Sequence, residues 1–150
     1  MYVLNTVLGG YFGSRLMTNI REEKGLTYGI YSQMQSFQLE GLFMIRADIN
    51  KELVQQAVNE IYKEIEYLQK KSVAQEELEL VKNYLYGSLL RNFDGVFSQI
   101  DRIIRTSDYN LPKNYWTQYL ETIRNMNSHT LQELACKYLD INTMTEVVSG

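Results

Sequence analysis

The chain has 150 residues, 45% of them hydrophobic and 22% charged, which fits one globular domain. A formal net charge of −3 and the lack of a Lys/Arg run exclude a nucleic-acid platform, and no apolar stretch is long enough to span a bilayer. The single cysteine, Cys136, excludes an internal disulfide framework and, within a helical pattern, is predicted to be buried or half-buried. None of these features fixes the compartment.

The first residues indicate a helix that is already under way at Tyr2 and ends near Leu8, with no capping residue before it. A chain that begins inside a helix is typical of a piece of something longer. We therefore expect residues 1–150 to form a single, truncated domain whose first strand is missing.

The densest set of local signals lies between Leu8 and Ser32. A glycine-rich turn with Gly9, Gly10 and Gly13 is followed by Ser14, a good N-cap for a short amphipathic helix. A glycine at position 25 is placed to end that helix. A compact fold could then aim Arg21, near the helix end, and Tyr28, just past the glycine, at one place.

A β-hairpin is predicted next. The first strand starts at Leu26 and runs to about Phe37, a turn falls near Glu40-Gly41, and a second strand follows. The second strand alternates, and its predicted inner face holds Phe43, Ile45, Ala47 and Ile49.

Helical patterns fill the rest of the chain. Asn50 is expected to cap a long helix, Ser72 and Gln75 to form a capping box, Pro112 to lie in the first turn of a helix, and Asn127 or Ser128 to cap the last one. The inward positions of the last helix are predicted to be Leu131, Leu134, Ala135 and Tyr138. The acidic residues of the long helices are interpreted as solvated faces: Glu60, Glu64, Glu76, Glu77 and Glu79.

The segment Thr143 to Ser149, with two adjacent valines, is predicted to form a final strand. The order helix, helix, hairpin, several helices, strand predicts an α+β fold, a mostly antiparallel sheet with helices packed on one face.

Most catalytic sites cannot be built from this composition. The only histidine is His129, predicted to be exposed at a helix start, so neither a two-histidine zinc site nor a Ser/His/Asp triad is available. The glycine-rich turn does not match a Gly-x-Gly-x-x-Gly or Gly-Lys-Ser/Thr phosphate motif and is better read as a tight turn or a peptide-contacting loop. Composition and spacing alone therefore indicate no more than an α+β domain with one unusual loop–helix–strand element.

At that element the sequence resembles the pitrilysin/insulinase family of zinc peptidases, and specifically the domain that does not carry the zinc. The matching motifs are Leu-Gly-Gly at 8–10, Ser-Arg-Leu at 14–16 and Arg-Glu-x-x-Gly-Leu-x-Tyr at 21–28. Further matches fall at 76–83 and at 127–139, so the resemblance spans nearly the whole chain. The resemblance implies the fold of the metallohydrolase domains of pitrilysin and mitochondrial processing peptidase.

The resemblance also implies roles for individual residues. In the family an Arg and a Tyr seven residues apart reach from this domain toward the zinc-bearing domain, bind the substrate peptide and help hold the oxygen that becomes charged. Arg21 and Tyr28 match that spacing. The turn with Gly9, Gly10 and Gly13 corresponds more loosely to a substrate-contacting glycine-rich loop in the non-catalytic subunit of the mitochondrial processing peptidase. The residues alone leave an alternative open, in which Arg21 only caps the C-terminus of its helix and Tyr28 only packs against its neighbours.

The family's catalytic His-x-x-Glu-His is absent from this sequence. The resemblance therefore implies a substrate-binding, chamber-closing domain of a zinc peptidase, inactive alone and binding no cofactor itself. The zinc would come from a partner domain in the same or another chain, and the substrate would be a peptide or small protein. The alternative is an inactive scaffold or partner subunit, as in the respiratory-complex core proteins of this fold. A homodimer through an exposed sheet edge also stays open.

Overall fold

The computed structural model of the chain describes residues 1–37, 39–93 and 95–149, without the side chains of 92 and 93. A short helix and a π-helix precede a β-hairpin, and five longer helices follow it. Their bounds are α1 Tyr2–Leu8, the π-helix Met17–Glu23, β1 Thr27–Ser36, β2 Gly41–Ile49, α2 Val54–Lys70, α3 Gln75–Phe93, α4 Val96–Asp108, α5 Tyr115–Asn125 and α6 Ser128–Tyr138. Single turns of 3₁₀-helix cover Lys51–Leu53 and Ile141–Thr143.

The predicted hairpin is confirmed. β1 and β2 pair antiparallel, with Tyr31 opposite Arg46, and the Phe37 N–H closes the turn by donating to the Glu40 carbonyl at 2.8 Å. The alternation of β2 follows the prediction, because the residues of its inner face pack against the core: Phe43, Ile45, Ala47 and Ile49.

The core lies between the hairpin and the helices. Most of its aliphatic side chains come from helices α1, α2, α3 and α6 and from the residues on either side of the glycine-rich turn. Their burial is the main favourable contribution to folding. The largest fully buried side chains are Leu4, Val7, Leu8, Leu16, Ile20, Ile30, Ile65, Leu68, Leu78, Ile123, Leu131 and Leu139. The predicted α+β class, an antiparallel sheet covered by helices, is confirmed.

The predicted final strand is wrong. Residues 144–149 have no regular secondary structure, and the side chains of Val147 and Val148 are exposed. A strand needs a neighbour to accept and donate its backbone hydrogen bonds, and two valines do not replace one. Over the described ranges, the sheet consists of β1 and β2.

Two helix starts also differ from the prediction. The capping box is not formed. Helix α3 begins only at Gln75, the Ser72 hydroxyl donates to Gln132 Oε1 at 2.9 Å, and the Gln75 amide donates to Glu79 Oε1 at 3.0 Å. Pro112 lies ahead of α5 and its carbonyl accepts from the Tyr115 N–H at 2.9 Å. The side chains of Ser72 and Gln75 thus bond to other side chains, and α5 begins three residues after Pro112.

The start of the last helix and two of its predicted inward positions, Leu131 and Ala135, are confirmed. Asn127 caps α6 through a hydrogen bond of 2.8 Å from the Thr130 N–H. Tyr138, predicted to face inward, is half exposed, and Leu139 is buried instead. The prediction that Cys136 is buried or half-buried is also wrong: its side chain is exposed and its Sγ contacts the Gln69 carbonyl at 3.6 Å.

Among the described residues, no helix combines the length and apolar character that crossing a membrane requires.

Candidate functional site

The glycine-rich turn lies directly against β1. The Gly9 carbonyl accepts from the Ser32 N–H at 2.9 Å, and a Cβ on Gly9 would lie 2.6 Å from that nitrogen. A Cβ on Gly10 would lie 2.8 Å from Thr6 Cα. Both glycines are therefore required for the close approach of backbones. The predicted contact of Gly9, Gly10 and Gly13 with substrate stays a prediction, and packing already accounts for the first two.

The helix after the turn is a π-helix. The predicted N-cap role of the Ser14 side chain is wrong, because its hydroxyl is buried and has no hydrogen-bond partner among the described residues. The backbone carbonyl of Ser14 instead accepts from the Thr18 N–H at 2.9 Å and makes the first hydrogen bond of the helix. Gly25, in the left-handed region at φ +60°, ends the helix as predicted. Single π-helical turns occur often at functional sites.

Arg21 lies near the end of this π-helix. Its guanidinium carbon is 4.9 Å from the centroid of the Phe12 ring. Within residues 1–37, 39–93 and 95–149, no carboxylate or carbonyl accepts a hydrogen bond from it. The Phe12 ring lies against the guanidinium, whose N–H groups have no protein acceptor in the described part of the chain.

Tyr28 projects from a β-bulge at the start of β1. Thr27 pairs with Ile49 and Ile30 with Ala47, so β1 carries one extra residue in this interval. The Thr27 hydroxyl fixes the bulge by donating to the Asp48 carbonyl at 2.6 Å and accepting from the Gly29 N–H at 3.2 Å. Because of the bulge Tyr28 leaves the inward face that Ile30 and Ser32 occupy, and it is 97% exposed.

Arg21 and Tyr28 thus flank the same turn, residues 24–26, on consecutive elements. Over the described ranges the structure shows no hydrogen bond or cation–π contact between the two side chains. Both present hydrogen-bond donors for which the described residues supply no acceptor. A peptide carbonyl oxygen is an acceptor that fits such donors.

A charge cluster around Glu60, which was predicted to lie on a solvated face, holds the π-helix on α2. Glu60 is buried, and its carboxylate accepts from the ammonium groups of Lys24 at 2.6 Å and Lys63 at 2.7 Å. These hydrogen bonds lower the pKa of the Glu60 carboxyl to about 2. The Asn19 amide donates to Glu64 at 2.6 Å and its oxygen accepts from Lys24. Burial raises the pKa of the Glu64 carboxyl.

A second pair, equally missed, holds the start of the same helix. The Arg15 guanidinium donates two parallel hydrogen bonds of 2.8 Å to the carboxylate of Glu77 in α3. The hydrogen bond to Glu77 raises the pKa of Arg15. The prediction of a solvated Glu77 is therefore wrong. Its partner is 62 residues away in sequence, and no local pattern reveals it.

The described part of the chain contains no group of three or more His, Cys, Asp or Glu side chains placed to hold a metal ion. His129 is exposed, with Nδ1 3.7 Å from a Glu133 oxygen one turn later.

Comparison with known proteins places the chain in a family. Residues 1–85, more than half of the chain, match the family described as Peptidase M16 inactive domain. The chain belongs to this family, and the resemblance drawn from the motifs is confirmed.

Individual relatives agree with the family. The chain is similar to the uncharacterized zinc protease YmxG of Bacillus subtilis, with 33% identity over 102 residues, which are 68% of this chain and 25% of the relative. It is 26% identical over 143 residues, 95% of this chain and 33% of the relative, to the non-peptidase homolog YmxG of Helicobacter pylori. The crystal structure of a peptidase M16 inactive domain from Pseudomonas fluorescens superimposes with a TM-score of 0.83 at 30% identity, covering 92% of this chain and 33% of that one. The chain thus spans about a quarter to a third of the curated relatives it matches.

Proposed function

We propose that this chain is most of one non-catalytic domain that binds peptide substrate and closes the reaction chamber of a zinc peptidase. The zinc and the general base would come from a partner domain, in the same or a second chain. Membership of an inactive-domain family supports this proposal, as do relatives several times longer that are named zinc proteases. Alone, the chain is expected to hydrolyse nothing.

The observation that carries the proposal is the bulge that turns Tyr28 outward, one short turn after the π-helix that carries Arg21. A phenol and a guanidinium can both donate to a peptide carbonyl, and such donors count most where negative charge develops on that oxygen in a site without water. Across the cleft from a zinc ion, the two side chains would orient the substrate and stabilise the oxyanion.

Substitution in the full-length protein tests the proposal. Tyr28→Phe, which removes one hydroxyl, should lower kcat/KM for a quenched fluorogenic peptide well over tenfold, toward the roughly 10²-fold loss typical of an oxyanion donor. Tyr67→Phe is the matched control, because Tyr67 is a half-exposed tyrosine on α2 that stacks under Lys71 and should leave the rate unchanged. An unchanged rate with Tyr28→Phe would refute the role.

The second candidate is an inactive scaffold or partner subunit. The Helicobacter relative matched over 95% of this chain is named a non-peptidase homolog, which favours it. This candidate predicts that the full-length protein holds a stable complex together but cleaves no peptide when supplied with zinc. Peptide cleavage that zinc restores and a chelator removes would exclude it.

A further inference from the structure

Phe12 is an aromatic residue of the glycine-rich turn, between Tyr11 and Gly13. Its side chain is 65% exposed, so the ring is accessible at the surface of the turn. The ring lies under the guanidinium of Arg21, 4.9 Å from centroid to carbon. This distance is within the range of a cation–π contact.

The turn holds this ring in place from both sides. Tyr11, the residue before it, packs against Tyr84 of α3 with ring centroids 4.8 Å apart, and its carbonyl accepts from the Ser14 N–H at 3.1 Å. Gly13, the residue after it, packs so closely on the Tyr11 ring that a Cβ would lie 2.9 Å away. Phe12 therefore projects from a short segment whose neighbours are anchored on the core.

The contact with Phe12 restrains Arg21 without using its hydrogen bonds. A guanidinium stacks through its flat face, whereas its N–H groups point outward in the plane. Arg15, on the same segment, differs, because its Nε and Nη2 donate hydrogen bonds to the two carboxylate oxygens of Glu77. Arg21 has two acidic neighbours, Glu22 and Glu23, yet pairs with neither in the part of the chain that the structure describes.

We propose that Phe12 is a positioning residue whose ring restrains the Arg21 guanidinium, so that its N–H groups are presented to the substrate carbonyl. This role rests on the proposed function of Arg21 and adds to it a residue outside the Arg/Tyr pair. The glycine-rich turn then contributes to the site through the Phe12 ring, whereas Gly9 and Gly10 allow the turn to pack against its neighbours. A ring of any aromatic type should serve, and an aliphatic side chain should not.

A double-mutant cycle in the full-length protein tests this role with the same quenched fluorogenic peptide. Phe12→Leu should lower kcat/KM by about two- to fivefold, the loss that corresponds to one exposed cation–π contact. Phe12→Tyr should retain the wild-type value. In the Arg21→Ala background, Phe12→Leu should have no further effect, because the group it positions is gone. Phe97→Leu, on α4, is the control for loss of an exposed phenylalanine.

The possible outcomes distinguish the positioning role of Phe12 from the proposed function of Arg21. If Arg21→Ala lowers kcat/KM but Phe12→Leu adds the same loss with and without Arg21, the positioning role is overturned and the function of Arg21 stands. A wild-type rate for Phe12→Leu, with the loss on Arg21→Ala retained, overturns it equally. If Arg21→Ala itself has no effect, the proposed function of Arg21 fails first. Equal thermal unfolding of all variants shows that the rates report on the site.

Discussion

Glu60→Gln is expected to destabilise the fold where the π-helix packs on α2. The substitution keeps the size of the side chain and removes the charge that two ammonium groups share, Lys24 at 2.6 Å and Lys63 at 2.7 Å. Lys24 is the C-cap residue of the π-helix, directly before Gly25, so its ion pair with Glu60 attaches the helix that carries Arg21 to α2. Loss of the pair should loosen this helix before the rest of the fold.

The size of the effect follows from the pKa of Glu60 and the exposure of its partners. A carboxyl pKa lowered from 4.5 to about 2 sets an upper limit of about 3 kcal/mol at neutral pH. The lysine side chains remain 34% and 62% exposed, so water screens the pair and compensates for its loss. We therefore expect Glu60→Gln to lower the free energy of unfolding by about 1–2 kcal/mol at pH 7.

Urea unfolding of the chain, followed by circular dichroism at several pH values, measures this effect. Because the folded-state pKa is lowered, the stabilisation is complete well above pH 4.5 and is lost as the pH falls toward 2, so wild type and Glu60→Gln should converge there. Glu66→Gln is the matched control, since the Glu66–Lys70 pair is on the surface of the same helix and should cost under about 0.5 kcal/mol. A difference that is the same at pH 7 and pH 2.5 would refute the electrostatic reasoning.

Other predictions test the packing around the site by the same unfolding measurement. Arg15→Lys keeps the charge but loses the two parallel hydrogen bonds to Glu77, and should cost about 0.5–1.5 kcal/mol; an unchanged stability would show that the pair contributes nothing. Gly9→Ala should cost about 1–3 kcal/mol, because the new Cβ meets backbone at 2.6 Å. Gly29→Ala, where a Cβ meets nothing within 4 Å, should stay within about 0.5 kcal/mol of wild type; equal losses at both glycines would contradict the packing argument.

The sequence was informative where the fold depends on neighbours in the chain. The hairpin, its inner face and the stop at Gly25 follow from alternation and from a glycine that can adopt positive φ. The Asn127 cap likewise needs only a side chain three residues from its donor. The motif between Leu8 and Tyr28 was specific enough to indicate the family.

What the sequence could not predict depends on contacts between distant segments. Glu60 and Glu77 have the charge and helical position of solvent-facing residues, and only the tertiary fold brings Lys24 and Arg15 to them. The strand predicted at 143–149 failed for the same reason, because strand propensity supplies no partner. The bulge that turns Tyr28 outward left a faint signal, a threonine two residues before Gly29, but its register depends on pairing with β2.

Photo-crosslinking at position 28 of the full-length protein tests most directly whether this domain contacts substrate. Tyr28 is almost wholly exposed, so a p-benzoylphenylalanine in its place disturbs no packing. We expect this variant to crosslink to a bound peptide and unlabelled peptide to compete, while the same group at Tyr67 on α2 gives no crosslink. Equal labelling at both positions, or none at position 28 under conditions where peptide is bound, would show that Tyr28 does not contact substrate.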